Sequence, residues 1–219
     1  MRQPGRFPLF LLNTVLLGTV LLTLVNTGFV ADSFADTTPE LAPCLACHGP
    51  SATGNKALKA PSLSNLDPVY LSRQLRYFRD GIRGADTADI EGYQMRVAVQ
   101  GLDDQIIEEL AESLAALPNS NPEVLLSGDA GKGKAYYGHL CGACHGPAGV
   151  GIKSLGAPGL AGLDDWYMDA QLKKFQSGVR GGSEKDRYGT QMVFIMQRLQ
   201  SDEGILDIIA YLRDLDVTQ

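Results

Sequence analysis

Cys44-Leu45-Ala46-Cys47-His48-Gly49-Pro50 and Cys141-Gly142-Ala143-Cys144-His145-Gly146-Pro147 are nearly the same heptapeptide, written twice 97 positions apart. Each copy sets two cysteines in C-x-x-C spacing and puts a histidine directly after the second. That spacing fits a redox disulfide, half of a zinc site, or a covalently attached c-type haem. All four cysteines of the chain lie in these two stretches. Two disulfides would leave the histidines without a role. A zinc site asks for four ligands, and apart from His139 neither copy holds a further Cys or His. A thioredoxin-like motif follows a strand, and no stretch of this chain alternates apolar and polar residues over a strand's length. Haem attachment uses every residue of the motif: the two thiols add to the vinyl groups, and the histidine is placed under the iron.

The duplication runs well beyond the heptapeptide. Shifted by 97, residues 44–95 align with 141–192 without a gap, and 25 of the 52 positions are identical. Tyr70/Tyr167, Gln74/Gln171, Phe78/Phe175, Gly81/Gly178 and Gln94-Met95/Gln191-Met192 are among the repeated letters. A one-residue adjustment after Leu102/Leu199 then brings residues 104–117 onto 202–215. Identity at this level over a fixed period marks a tandem array. The Pro- and Asn-rich stretch 117–122 reads as the loop between copies.

Each copy reads as helical. Residues 70–80 space Leu71, Leu75 and Phe78 along one helix face, after the start signal Asp67-Pro68. Residues 167–177 repeat this with Met168, Leu172 and Phe175, and each copy closes on a further helix, at 104–117 and 201–215. The expected fold class is all-α: two small helical domains, rich in Gly/Pro loops, of a size that needs a staple beyond its apolar core.

With His48 and His145 below the two irons, His139 is the one histidine left, so both haems cannot be bis-histidine. His139 lies two residues before Cys141, too close to reach over the ring. Methionine is the other common axial partner and raises the reduction potential. Met168 and Met196 align with Leu71 and Val99, ordinary core positions. Met95 and Met192 recur in register, each followed by a helix-forming segment, and are the expected axial ligands.

Two C-x-x-C-H domains, each with a trailing Q-M and the string Y-x-x-x-Q-L-x-x-F-x-x-G-x-R-G, resemble the dihaem cytochrome c4 family over nearly all of the chain after its N-terminal segment. The resemblance implies two class I cytochrome c domains, each wrapping one haem, with the haems approaching each other across the domain interface. On these positions Cys44, Cys47, Cys141 and Cys144 would carry the thioethers, and His48/Met95 and His145/Met192 would be the axial pairs. The Pro61 and Pro158 carbonyls would accept a hydrogen bond from the histidines. Arg83 and Arg180 would face the haem propionates. The second copy matches better. Gly133 and Tyr137 stand where the class I fold packs its first helix against an aromatic of its last, here Tyr211. The first copy has Asp36, Glu40 and Ser113 at those places.

Residues 1–35 stand apart. Arg2 and Arg6 precede a largely apolar run, and Ser33-Phe34-Ala35 offers an export cleavage site. The segment is either a signal peptide or an uncleaved anchor, since about 20 apolar residues span a bilayer. The expected organisation is a signal peptide or anchor over 1–35, a first cytochrome c domain over 36–117, a linker over 118–127 and a second domain over 128–219. Without residues 1–35 the chain carries 17 basic against 24 acidic residues. No Lys/Arg-rich run appears, which argues against nucleic acid as a partner.

The function these residues imply is a periplasmic electron carrier holding two covalent haem c groups. It would take electrons from a quinol-oxidising complex or a dehydrogenase and pass them to a terminal oxidase or reductase, meeting the membrane only through partners or the anchor. Two other readings stay open: an electron-transfer subunit of a sulfur-compound dehydrogenase complex, and a dihaem enzyme with an open haem.

Overall fold

Each half of the chain carries its cysteine motif on a short helix that ends at a glycine, and most of the longer helices begin at an Asp or Ser cap. A computed structural model describes residues 41–199 and 201–215. The expected export segment and residues 36–40 lie outside the described residues.

In the first half, α1 (Ala42–His48) carries the cysteines and ends at Gly49, whose φ is 81°. A 3-10 turn at Lys56–Leu58 and a single β-bridge between Asn55 and Ala60 follow. The helix α2 (Pro68–Arg79) begins where Asp67-Pro68 predicts: the Asp67 carboxylate accepts the Val69 N–H at 2.9 Å, and proline fills the first turn, where no donor is needed. The next helices, α3 (Ile90–Val99) and α4 (Asp104–Ala115), are capped by Asp89 and Asp103.

The second half adds α5 (Ala130–Leu140) ahead of the motif helix α6 (Gly142–His145). It then repeats the plan, with the bridge Ile152–Ala157, α7 (Asp165–Gln176), α8 (Arg187–Met196) and α9 (Asp202–Arg213). The bridges and the Asp89 and Asp186 caps recur at the same 97-residue shift. Among the described residues the two isolated bridges are the sole β pairings, so the all-α class holds. No helix among them is long and apolar enough to cross a membrane.

Two apolar cores result. In the second, α5 crosses α9 so closely that a Cβ on Gly133 would lie 1.8 Å from the Asp207 carbonyl oxygen. That contact lays the Tyr137 ring 5.4 Å from the Tyr211 ring and buries Tyr137 among Ile205, Ile208 and Leu212. The first core gathers Leu41, Leu71, Leu110, Ala111 and Leu114, with half-buried Ser113 at the place of Tyr211. There α2 and α4 are also bridged by ion pairs, Arg79 to Asp104 at 2.7 Å and Arg76 to Asp104 at 3.2 Å. Such exposed pairs are screened by solvent and add little, so leucine packing does most of the holding.

The halves are joined by polar and apolar contacts together. Leu163 packs into the first core. The buried Asp164 carboxylate accepts the Ser62 N–H at 2.7 Å. Lys174 reaches Asp89 at 2.6 Å and Glu91 at 2.8 Å, and Lys153 reaches Asp67 at 2.6 Å.

The helix-forming segments expected after Met95 and Met192 are α4 and α9, and the methionines themselves lie within the preceding helices α3 and α8. Asp89 and Asp186 each accept the N–H of a glycine three residues on, Gly92 and Gly189, and so start these helices upstream of the methionine.

Candidate functional site

After each histidine the chain turns back on itself. Gly54 N–H donates to the His48 carbonyl at 2.7 Å, and Gly151 N–H to the His145 carbonyl at 2.9 Å. At Gly151 the φ is +85°, and a Cβ would sit 2.6 Å from the Gly159 nitrogen, so this turn accepts glycine alone. The loop then returns a proline carbonyl to the histidine: His48 Nδ1 lies 2.7 Å from Pro61 O, and His145 Nδ1 2.8 Å from Pro158 O. A carbonyl can only accept, so Nδ1 carries the hydrogen in both rings and Nε2 keeps a free lone pair. Both imidazoles are buried. That burial holds their pKa values below the ordinary histidine value, against the opposing pull of the proline carbonyls. The result is a pair of neutral, oriented imidazoles fit to ligate a metal.

The four thiols are unpaired with one another, Cys47 and Cys144 exposed, Cys44 and Cys141 half-buried. Burial raises the Cys44 thiol, and raises Cys141 to about 11. Among the described residues no three His, Cys, Asp or Glu side chains converge to hold a metal ion, which leaves the zinc reading without its second pair of ligands.

A largely apolar cavity of about 830 Å³ fills the second half, lined by Cys141, Cys144, His145, Pro158, Arg180 and Met192 among others. Its size lies within the usual range for a bound cofactor. The first half supplies part of the wall, through Leu66, Tyr70, Arg73 and Gln74. Met192 approaches from α8, and Met95 sits half-buried at the same position of α3.

Arg83 and Arg180, candidates for the propionates, are 8% and 7% exposed. Each donates to a glutamine of its own half, Arg83 to Gln74 at 2.7 Å and Arg180 to Gln171 at 2.9 Å. Each also crosses to the other half. Arg83 reaches Gln171 at 3.0 Å and the Tyr167 hydroxyl at 3.2 Å, while Arg180 reaches Gln74 at 3.1 Å and the Tyr70 hydroxyl at 2.8 Å. The six residues are three repeat-related pairs, so the ring they form is two-fold symmetric. Burial opposes ionisation of Tyr167, but the two guanidiniums outweigh it and hold this phenol below its ordinary range.

Buried charge without a counter-charge is costly. No carboxylate among the described residues lies within ion-pair distance of either guanidinium. The Nε atoms of both are buried and without partners. A free cationic Nε on Arg180 at the border of the apolar cavity, repeated on Arg83 in the first half, suits the carboxylates of a haem, and the donor set therefore fits the group. Tyr70, Tyr167, Gln74 and Gln171 were given no role in the sequence reading. Their recurrence in register was the available signal.

Helices around an apolar cavity lined by a C-x-x-C-H motif and a methionine define a class I c-type cytochrome with covalently bound haem. The family model for cytochrome c matches residues 130–216, the half in which the α5–α9 crossing is complete. A thiosulfate dehydrogenase electron acceptor from Thiomonas intermedia is 35% identical, over 68% of this chain and 70% of that protein. Cytochrome c4 from Pseudomonas aeruginosa is 34% identical, over 75% and 83%. The solved cytochrome c4 of Acidithiobacillus ferrooxidans superposes with a TM-score of 0.65 at 26% identity, covering 78% of this chain and 98% of that one. The chain belongs to the dihaem cytochrome c4 family, and it is an electron-transfer protein with two haem c groups rather than an enzyme.

Proposed function

We propose that this cytochrome shuttles electrons in the periplasm from a quinol-oxidising complex or a dehydrogenase to a terminal oxidase or reductase. His48/Met95 and His145/Met192 would be the axial pairs, in domains spanning 36–117 and 128–219 joined by a 118–127 linker, with residues 1–35 directing export or anchoring the chain. The observation that carries the reading is the His–Pro hydrogen bond, which occurs in both halves at nearly the same length. When bound, the haem iron supplies a one-electron couple. The residues of the chain keep that couple's surroundings fixed. The proline carbonyls lock the imidazole tautomer, the Cys pairs would tether the ring, and the apolar walls exclude water. Arg83 and Arg180 would meet the propionates through their free Nε atoms and hold both haem edges at one seam between the halves.

A second reading, electron acceptor for a sulfur-compound dehydrogenase, is favoured by the Thiomonas relative, whose own name states that role. Intact mass of the exported protein tests the core of the proposal. Two haem additions and loss of residues 1–35 support it; one haem, or none, contradicts it. Reduction by a thiosulfate-oxidising fraction, compared with reduction by a quinol-oxidising membrane fraction, separates the two donors.

A further inference from the structure

Among the described residues, Arg73 is the one charged side chain of the first half that lines the cavity of the second, and it has no acidic partner there. It projects from α2, lines the cavity and donates through Nη2 to the Gly156 carbonyl at 2.7 Å. Its guanidinium stacks on the Tyr188 ring at 4.3 Å from the centroid, with the Tyr70 ring on another side at 5.3 Å. The geometry has been cleared for it. Gly156 has φ +65°, and a Cβ there would fall 2.4 Å from the Tyr188 ring and 3.0 Å from Arg73 Nη1. Arg73 makes no ion pair with any described carboxylate, and its Nε is buried and unsatisfied.

The repeat shows what the first half has instead. Residue 170, the counterpart of Arg73, is alanine, and the counterpart of Tyr188 is Glu91. Glu91 is closed off by Lys174 at 2.8 Å and Lys59 at 2.9 Å, and Lys174 is also shared with Asp89. The first half thus has a neutralised cluster where the second has a bare guanidinium held by stacking. The other charged groups on that wall are Asp186, which caps α8, the exposed Arg187, and Arg180 of the six-residue ring.

We propose that Arg73 is a positioning residue contributed by the first half to the second haem site, where its unpaired charge makes the second haem easier to reduce. The inference rests on the dihaem reading above. A cation in a poorly screened site favours the redox state with the less positive charge, and this one acts on a single haem because its counterpart is missing. The electrostatic effect and the clasp on Gly156 and Tyr188 are separable by substitution. Arg73→Gln removes the charge and the fork, whereas Arg73→Lys keeps the charge and loses the fork.

The test is a potentiometric titration of the intact dihaem protein, followed by NMR signals of the oxidised haems assigned to each half. In Arg73→Gln the electron distribution between the haems is expected to move threefold to tenfold toward the first haem, a tenfold change being 59 mV for one electron. The first haem's midpoint stays fixed, and Arg73→Lys keeps most of the wild-type distribution. An unchanged second midpoint in Arg73→Gln overturns the inference. So does an equal displacement in both variants, which would assign Arg73 to the clasp alone. Failure of the underlying reading would show separately, as a haem count below two in the unaltered protein.

Discussion

Arg180 donates through Nη2 to the Tyr70 hydroxyl at 2.8 Å, across 110 residues of sequence. Its repeat mate Arg83 makes the reciprocal contact with Tyr167 at 3.2 Å. The same duplicated residues thus close both sides of one seam, and each half completes the other's polar accounting. A monohaem ancestor with this arginine and tyrosine on one face would have a self-complementary surface, as two-fold interfaces require.

Because Arg83 and Arg180 share Gln74 and Gln171, their contributions should not add. Arg83→Met takes the donor from the Tyr167 hydroxyl and Arg180→Met from the Tyr70 hydroxyl, at about 1–3 kcal/mol apiece, while Gln74 and Gln171 each keep the remaining arginine. The double variant strips both glutamines as well and is expected to lose more than the sum, by about 0.5–3 kcal/mol of coupling. Urea denaturation of the four proteins in the cycle measures this, and strict additivity would mean the ring is not a unit.

The α5–α9 crossing predicts opposite outcomes for two glycines of one helix. Gly133→Ala drives a Cβ into the Asp207 carbonyl and is expected to cost about 1–3 kcal/mol or more by forcing the helices apart. At Gly138 a Cβ meets nothing within 4 Å, so Gly138→Ala is expected to stabilise α5 by about 0.5–1 kcal/mol. Thermal unfolding followed by helical circular dichroism distinguishes the two.

Acid should weaken the seam through Glu91. Hydrogen bonds from Lys174, then Lys59, lower its pKa from the ordinary carboxylate value to about 2. Its folded pKa lies below its unfolded one, so the unfolded chain takes up the proton first. The contribution is complete above the unfolded value near 4.5 and is lost as pH falls toward 2. Solvent screening of this partly exposed cluster keeps the amount near 1 kcal/mol. Urea midpoints measured from pH 5 to pH 2 should fall less steeply in Glu91→Gln than in the wild type, and parallel curves would count against the ion-pair cluster.

Much of this architecture was readable because it is periodic or local. The Asp67-Pro68 start, the apolar spacing of residues 70–80 and the closing helices follow from cap chemistry and a 3.6-residue period. The crossing of Gly133 and Tyr137 with Tyr211 was an expectation of the resemblance to the class I fold rather than of any period or cap. The helices that carry the methionines raised no expectation, because Ile90-Glu91-Gly92-Tyr93 shows no clean apolar stripe and has a glycine inside it. The resemblance marked Arg83 and Arg180 but not their hydrogen-bond partners. A repeat alignment shows which residues are equivalent, whereas a seam is built from residues that oppose one another, here Tyr70 and Gln74 of α2 meeting Tyr167 and Gln171 of α7 through the two arginines. Arg73 was silent for the opposite reason: it breaks the repeat, so no register drew attention to it.

The central claim is that each half holds its haem between a histidine and a methionine, and the most direct measurement is the far-red methionine-to-iron absorption band of the oxidised protein. The account predicts intensity for two such bonds, half of it lost in Met95→Ala, half in Met192→Ala and all of it in the double variant. A high-spin haem in the unaltered protein, or a band that survives either substitution undiminished, would contradict it.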